Sequence, residues 1–137
     1  PDLDPHVVAE LRANLDQQRA PGIGIEEFFD LDEAFHHGLL RLSGHERAWS
    51  TVVSAKGHLD RARRLGLKET SPASFADQHV EIFQAVTDGD LPRARRTMRS
   101  HLRAVFDDVE RIRQRSPELF AADDGSVPVR RNIVVWE

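Results

Sequence analysis

Apolar residues recur at intervals of three and four along every long segment of this sequence, which is the spacing of one face of an α-helix. Breaks rich in glycine, proline or short polar residues separate these segments and predict where the helices end. We predict helices at residues 6–19, 25–42, 45–65, 74–86 and 91–112, and a short terminal helix at 116–120. The pattern predicts an all-α fold, an antiparallel helical bundle of about six helices.

The predicted helix starts carry capping residues. Asp4 is placed to cap the first helix, with Pro5 at its first position. Ser74 is a candidate cap of the fourth helix, and Asp90 is a candidate cap of the fifth, with Pro92 in its first turn. The turn before Asp90 therefore joins the last two long helices as a hairpin.

Composition narrows the class of protein. The chain has 137 residues, which suits one domain, and a net charge of −4, which argues against general nucleic-acid binding by this piece. It has no cysteine, so disulfides and thiolate metal sites are excluded. It has no run of about 18 apolar residues and no signal-peptide pattern, and we expect a cytoplasmic protein that does not span a membrane. Because it does not begin with methionine, we expect it to be part of a longer chain.

Four residues on the apolar faces of three helices suggest a metal site. Asp32 and His36 lie four apart on one predicted helix, so their side chains leave the same face one turn apart. His79 and His101 are each eleven residues from Asp90, at the same height of the predicted hairpin, roughly 16 Å from its turn. Any one of these histidines alone is more simply a buried imidazole with a hydrogen-bond partner. The four together favour an internal metal site.

Three imidazoles and one carboxylate suit Zn²⁺, Ni²⁺, Mn²⁺ or Fe²⁺ better than Ca²⁺ or Mg²⁺. Four protein ligands either close a tetrahedral site or leave positions open for water or a ligand carboxylate, and the sequence does not decide between these. The remaining histidines fall off the apolar stripes and are expected to face solvent: His6, His37, His45 and His58.

Four stretches of the chain share a pattern with a known family. These stretches are Asp32-x-x-Phe35-His36; Ser43-Gly44; Gln78-His79-x-x-Ile82-x-x-Ala85-Val86-x-x-Gly89-Asp90; and Ala94-x-x-x-Met98-x-x-His101-Leu102. In this order they resemble the C-terminal effector-binding (FCD) domain of GntR-type transcription regulators of the FadR subfamily. The resemblance covers about residues 28–109.

The resemblance implies a helical bundle whose divalent transition metal is held by Asp32, His36, His79 and His101. Zinc is the metal we expect first, with nickel, manganese or iron as alternatives. The resemblance further implies that a small carboxylate or sugar-acid effector binds at or beside the metal. The signal would pass to an N-terminal winged-helix DNA-binding domain, usually within a homodimer.

This sequence departs from the family pattern in three places. The winged helix is not in this chain, so DNA binding is expected only through a missing N-terminal domain. The first helix of the family's sensor domain, which often supplies a ligand-facing arginine, also looks absent or shortened. Finally, His45 stands where the family often has asparagine after Ser-Gly.

Candidate effector contacts come from the same faces. Lys56 and Arg63 share an apolar stripe of the third helix, where their cations can pair with an anionic effector. The alternative is that their stems pack while their charges reach water. Phe35 and Phe83 are neighbours of the metal ligands in sequence and are candidates to line the pocket, although core packing explains them equally well.

We therefore predict a metal- and effector-binding domain over residues 1–125, followed by a tail at 126–137. The predicted function is ligand sensing for a transcription regulator and not catalysis. The alternative is a metalloenzyme that uses metal-bound water on a small organic acid. It would need a nearby general base, for which Asp77, Glu81 and Asp108 are candidates.

Overall fold

The computed structural model describes residues 2–66 and 72–120 of the chain. Within these ranges it has five α-helices: α1 (Pro5–Gln18), α2 (Ile25–Leu42), α3 (Trp49–Gly66), α4 (Ala73–Thr87) and α5 (Leu91–Arg115). Two 3₁₀ helices, Glu46–Ala48 and Pro117–Phe120, precede α3 and follow α5. The prediction of an all-α bundle is confirmed for the described residues. Most of the segment between the predicted third and fourth helices and all of the tail at 126–137 lie outside them.

Two helix starts have the predicted caps. The Asp4 carboxylate accepts the His6 backbone N–H at 2.9 Å, and the Asp90 carboxylate accepts the Arg93 backbone N–H at 3.0 Å. Both α1 and α5 have a proline in the first two positions, where the missing N–H costs no helical hydrogen bond. Gly89 before Asp90 has φ +71°, a left-handed conformation that suits glycine in a tight turn.

Two details of the sequence prediction are wrong. Ser74 does not cap α4, because the helix begins one residue earlier and the cap position, Pro72, has no side-chain hydrogen bond to offer. The third helix starts as a 3₁₀ turn and becomes α-helical at Trp49.

The five helices pack in a ring. In this ring α1 contacts α2 and α4, α4 contacts α5, α5 contacts α3, and α3 contacts α2. At the α1–α2 crossing Gly38 lies against Leu11, so closely that a Cβ at residue 38 would sit 2.6 Å from a Leu11 methyl carbon. The interior of the ring is filled by side chains from every helix and is where the four candidate ligands lie.

Apolar side chains form the walls around these ligands. One buried cluster joins α1, α2 and α4, and consists of Val7, Leu11, Leu15, Phe35, Ile82 and Phe83. A second cluster joins α2, α4 and α5, and consists of Phe28, Phe75, Ala76 and Val105. In the described part of the chain, none of the helices has the length and apolar character that crossing a membrane requires.

Candidate metal centre

Four side chains from three helices converge inside the ring. Asp32 and His36 come from consecutive turns of α2, His79 from α4 and His101 from α5. One nitrogen or oxygen atom of each lies within 4.8 Å of the corresponding atoms of the other three. Asp32, His79 and His101 are at most 2% exposed, and the His36 side chain is 14% exposed. The structure thus brings together all four residues that the sequence nominated as metal ligands.

The closest approaches involve one carboxylate oxygen and three imidazole Nε2 atoms. His79 Nε2 lies 3.3 Å from His101 Nε2 and 3.4 Å from Asp32 Oδ1, and His36 Nε2 lies 3.7 Å from Asp32 Oδ1. Bonds of 2.0–2.2 Å to a tetrahedral ion would separate its ligand atoms by about 3.4 Å. The spacing of these atoms therefore fits a four-coordinate transition metal.

Two glutamine side chains hold two of the imidazoles from outside. His79 Nδ1 donates to Gln18 Oε1 at 2.7 Å, and His101 Nδ1 donates to Gln78 Oε1 at 2.9 Å. A neutral imidazole has one proton, so with the amide oxygens oriented this way both Nε2 atoms present lone pairs. Two lone pairs facing each other at 3.3 Å repel, and a cation between them turns this repulsion into coordination. The donor set fits a divalent transition metal.

The protonation states suit the same group. Burial, together with the neighbouring His36, lowers the pKa of His101 to about 3, and burial also lowers the pKa of His36 and of His79. These imidazoles are therefore neutral near pH 7, which is the form that binds metal. Burial alone would raise the pKa of Asp32, but His36 and the Lys56 ammonium lower it to about 2. Asp32 is thus a carboxylate.

Lys56 connects α3 to the candidate centre. Its ammonium donates to Asp32 Oδ2 at 2.7 Å and to Asp60 Oδ2 at 2.6 Å. Because Lys56 takes one oxygen of Asp32, the other oxygen, Oδ1, is the one directed at the imidazoles. Lys56 therefore compensates the Asp32 charge, and its position beside the cluster is compatible with the effector contact predicted from the sequence.

Arg63 is a buried cation on the same helix. Its guanidinium lies over the rings of Phe29 and Phe75, at 4.9 and 4.5 Å from their centroids, and only 2% of the residue is exposed. The nearest carboxylate oxygens belong to Asp60 and Asp108, at 3.6 and 3.8 Å. Among the described residues, the Arg63 Nε and Nη2 atoms have no hydrogen-bond partner. The alternative that the Arg63 charge reaches water is wrong, because the two rings enclose it.

The two candidate phenylalanines lie in different places. Phe35 is fully buried and stacks on the His79 ring at 4.6 Å, with the His36 ring edge-on at 5.4 Å. Phe83 belongs to the same apolar cluster, but the Arg12 guanidinium lies 5.7 Å from its ring and it lines a surface cleft between α1 and α4. Phe35 therefore orients ligands directly, whereas Phe83 faces the α1–α4 side of the core.

Three of the other histidines are exposed as expected, and these are His6, His45 and His58. His37 differs from the prediction, because it is half-buried. Its ring stacks on Trp49 at 4.8 Å, and its Nε2 lies 3.2 Å from a Glu46 carboxylate oxygen. This contact joins the C-terminal part of α2 to the start of α3, although His37 directly follows the candidate ligand His36 in sequence.

The candidate general bases of the enzyme alternative are engaged elsewhere. Asp77 is 70% and Glu81 56% exposed by side chain, and they pair with Arg19 and Arg93 on the surface. The third candidate, Asp108, is buried but lies beside arginine side chains, with the Arg111 guanidinium donating to it at 3.1 Å. Asp77 and Glu81 therefore lie on the surface, whereas Asp108 is ion-paired with Arg63 and Arg111 and its Oδ2 has no hydrogen-bond partner among the described residues.

The polar residues that support the ligands were not predicted from the sequence. Asn14 and Gln18 continue the apolar stripe of α1 at helical spacing, and two amides on an inward face are a signal for buried hydrogen bonds. Gln78 directly precedes the candidate ligand His79, and nothing in its sequence position predicts its hydrogen bond to His101. Asp60 lies four residues after Lys56, a spacing that predicts a helical ion pair.

Comparisons with known proteins place the chain in a family. The FCD domain matches residues 1–104. An uncharacterized HTH-type transcriptional regulator in an unstable DNA locus of Streptomyces ambofaciens is 69% identical over 137 residues, which are 99% of this chain and 58% of that protein. The HTH-type transcriptional repressor RspR of Escherichia coli K12 is 33% identical over 120 residues, 83% of this chain and 51% of RspR. No solved structure matches the chain significantly.

The chain thus spans a little over half the length of the curated relatives that it matches. The family match runs from α1 into α5 and includes all four candidate ligands. The resemblance drawn from the sequence motifs is confirmed at the level of the domain, while the FadR subfamily stays a prediction. The chain belongs to the FCD domain family.

Proposed function

We propose that this chain is the ligand-sensing domain of a transcription regulator and that its ligand is recognised at a metal ion. The observation that carries the proposal is the convergence of one carboxylate and three neutral imidazoles, within 4.8 Å of one another, in the core of an FCD domain. The names of the curated relatives support a regulatory role and not a catalytic one. The exposed positions of Asp77 and Glu81 also argue against the enzyme alternative.

The proposed metal ligands are Asp32, His36, His79 and His101. Zinc suits this set best, because it accepts imidazole nitrogen and carboxylate oxygen in four-coordinate geometry; nickel, manganese and iron are alternatives. The ion supplies a positive charge in a buried site, which attracts a carboxylate. The chain's own contribution is to keep three imidazoles neutral and one carboxylate ionised before the ion arrives.

The proposed effector is a small carboxylate or a sugar acid. Arg63 supports this choice, because it is buried, permanently charged and has two guanidinium nitrogens without hydrogen-bond partners among the described residues. Its charge contributes to the lowered pKa of His36, His79 and His101, so it acts on the same interior. Lys56 is the second proposed contact. Its ammonium now pairs with Asp32 Oδ2, and it would stay paired if an effector carboxylate took the place of that oxygen.

The proposed regulation acts through helix packing. An anion bound at the cluster would act on α2, α4 and α5 through the metal ligands and on α3 through Lys56 and Arg63. Its differential affinity for two packings of these helices would then shift the equilibrium between them. We propose that residues 1–125 form this sensor, that it works as a cytoplasmic homodimer, and that DNA binding belongs to a winged-helix domain outside this chain.

Thermal unfolding in the presence of small carboxylates tests the proposal. We expect some of these acids to raise the melting temperature of the zinc-loaded protein, and the rise to vanish after chelation. The Arg63→Met variant should lose the carboxylate response, whereas Arg61→Met, on an exposed position of the same helix, should keep it. An equal response in the chelated protein would contradict metal-dependent sensing. If the protein converted the acid to a product, the metalloenzyme alternative would be favoured over the sensor.

A further inference from the structure

Two amide side chains interrupt the buried face of α1. Gln18 is 1% exposed and Asn14 is 9% exposed, and both lie on the stripe that contributes Leu11 and Leu15 to the core. Burying an amide without hydrogen-bond partners is costly, so residues of this kind persist on an inward face only where their partners are fixed. Their partners lead from the backbone of α2 to His79.

The hydrogen bonds form a chain with only one consistent direction. Asn14 Nδ2 donates to the Leu31 carbonyl at 3.0 Å, Gln18 Nε2 donates to Asn14 Oδ1 at 2.7 Å, and His79 Nδ1 donates to Gln18 Oε1 at 2.7 Å. A backbone carbonyl only accepts, so Asn14 must turn its NH₂ group to Leu31 and its oxygen to Gln18. Gln18 must then offer its own NH₂ group to Asn14, which leaves its oxygen for His79. The proton of His79 is therefore placed on Nδ1.

Acceptors on both sides of the ring compete for that single proton, and one of them, His101 Nε2, lies 3.3 Å from His79 Nε2 on the side of the cluster. Asp32 Oδ1 lies 3.4 Å from His79 Nε2, on the side of the cluster, while Gln18 Oε1 lies 2.7 Å from Nδ1 on the opposite side of the ring. If His79 instead bore its proton on Nε2 and donated it to Asp32, its lone pair would be on Nδ1 and none would face the cluster. The shorter bond to Gln18 draws the proton outward and keeps Nε2 free to coordinate.

We infer that Gln18, oriented by Asn14, is a positioning residue that sets the tautomer of His79 and thereby the metal affinity of the cluster. The inference rests on the proposed metal site, but the tautomer is a property of the protein without metal. It also gives α1, which contributes no ligand, a direct connection to the cluster. By contrast, Gln78 holds His101 from a position that is only partly buried.

Two measurements test this role. Long-range ¹H–¹⁵N spectra of the metal-free protein report which nitrogen of His79 bears the proton, and competition with a chromophoric chelator gives the zinc affinity. The variants are Gln18→Leu, which removes the acceptor, and Gln18→Glu, which keeps an oxygen facing Nδ1 but no longer donates to Asn14. Gln17→Leu is the matched control, because it makes the same change at an exposed position of the same helix.

We expect protonated Nδ1 in the wild type and a roughly 10- to 100-fold weaker zinc affinity in Gln18→Leu, the range that outer ligand contacts typically have. The zinc affinity of Gln18→Glu should be within a few-fold of that of the wild type, and the zinc affinity of Gln17→Leu should equal that of the wild type. A wild-type His79 protonated on Nε2 would overturn the inference without any variant having to fold. Zinc affinity in Gln18→Leu equal to wild type would overturn it as well. A wild type that binds no zinc while His79 bears its proton on Nδ1 would instead contradict the proposed metal site.

Discussion

The three buried imidazoles should make the metal-free protein sensitive to mild acid. In the unfolded chain each histidine has a pKa near 6.5, whereas in the folded protein burial lowers the pKa of His101 to about 3 and that of His36 and His79 as well. The unfolded state therefore binds more protons below pH 6.5. Stability is fully present above that value and is lost progressively as the pH falls from there toward the folded pKa.

The size of the loss follows from these values. Between pH 7 and pH 5, a histidine that stays neutral in the folded state and titrates at 6.5 when unfolded removes about 2 kcal/mol from the free energy of unfolding. His101 alone gives this amount, and all three would give about 6 kcal/mol if each stayed neutral. Asp32 does not contribute in this window, because its pKa of about 2 lies below the unfolded value of 3.8 and its effect begins only below pH 4.

Urea unfolding in the presence of a chelator measures this directly. We expect the free energy of unfolding to be flat between pH 8 and 7 and to fall by about 2–6 kcal/mol between pH 7 and 5, which is a large part of the stability of a small domain. The exposed His58 provides a control, because His58→Gln should leave the profile unchanged. A free energy at pH 5 equal to that at pH 7 would refute the claim that the imidazoles are buried in neutral form.

Three further changes test the packing of the helices by denaturant unfolding. Gly38→Ala should lower the unfolding free energy by about 1–3 kcal/mol, because its Cβ would meet Leu11. Gly57→Ala has open space around it and should be neutral or stabilising. Equal effects of the two changes would contradict the tight crossing of α1 and α2. Asp90→Ala should cost about 1 kcal/mol by removing the cap of α5, and no loss would show that water replaces the cap. Ile82→Ala should cost about 2–5 kcal/mol, since the side chain is 1% exposed, and a loss below 1 kcal/mol would contradict a rigid core at this position.

Periodicity and spacing were enough to predict most of the fold. The recurrence of apolar residues located all five α-helices of the described chain, and Asp4 and Asp90 marked two of their starts correctly. The start of α4 was misplaced because Ser74 has the chemistry of a cap, whereas the backbone already turns at Pro72. Capping preference is a local property, and the start of a helix also depends on the segment before it.

The candidate ligands were accessible to the same reasoning, because equal distance from a tight turn fixes the relative height of His79 and His101 on two paired helices. Their environment was not accessible. The bond from Gln18 to His79 joins residues 61 apart in sequence, and no local pattern encodes it. The burial of Arg63 between two rings likewise depends on how α3 packs against the helices that carry those rings. The spacing of residues within one helix does not determine this packing.

Elemental analysis of the purified protein tests the central claim most directly. We expect close to one equivalent of a divalent transition metal per chain, or uptake of one equivalent on titration with zinc, and a loss of this metal in the His79→Ala variant. Absence of metal from the wild type, with no uptake on titration with zinc, nickel or manganese, would rule out the proposed metal site. The cluster would then be a set of buried imidazoles without a metal.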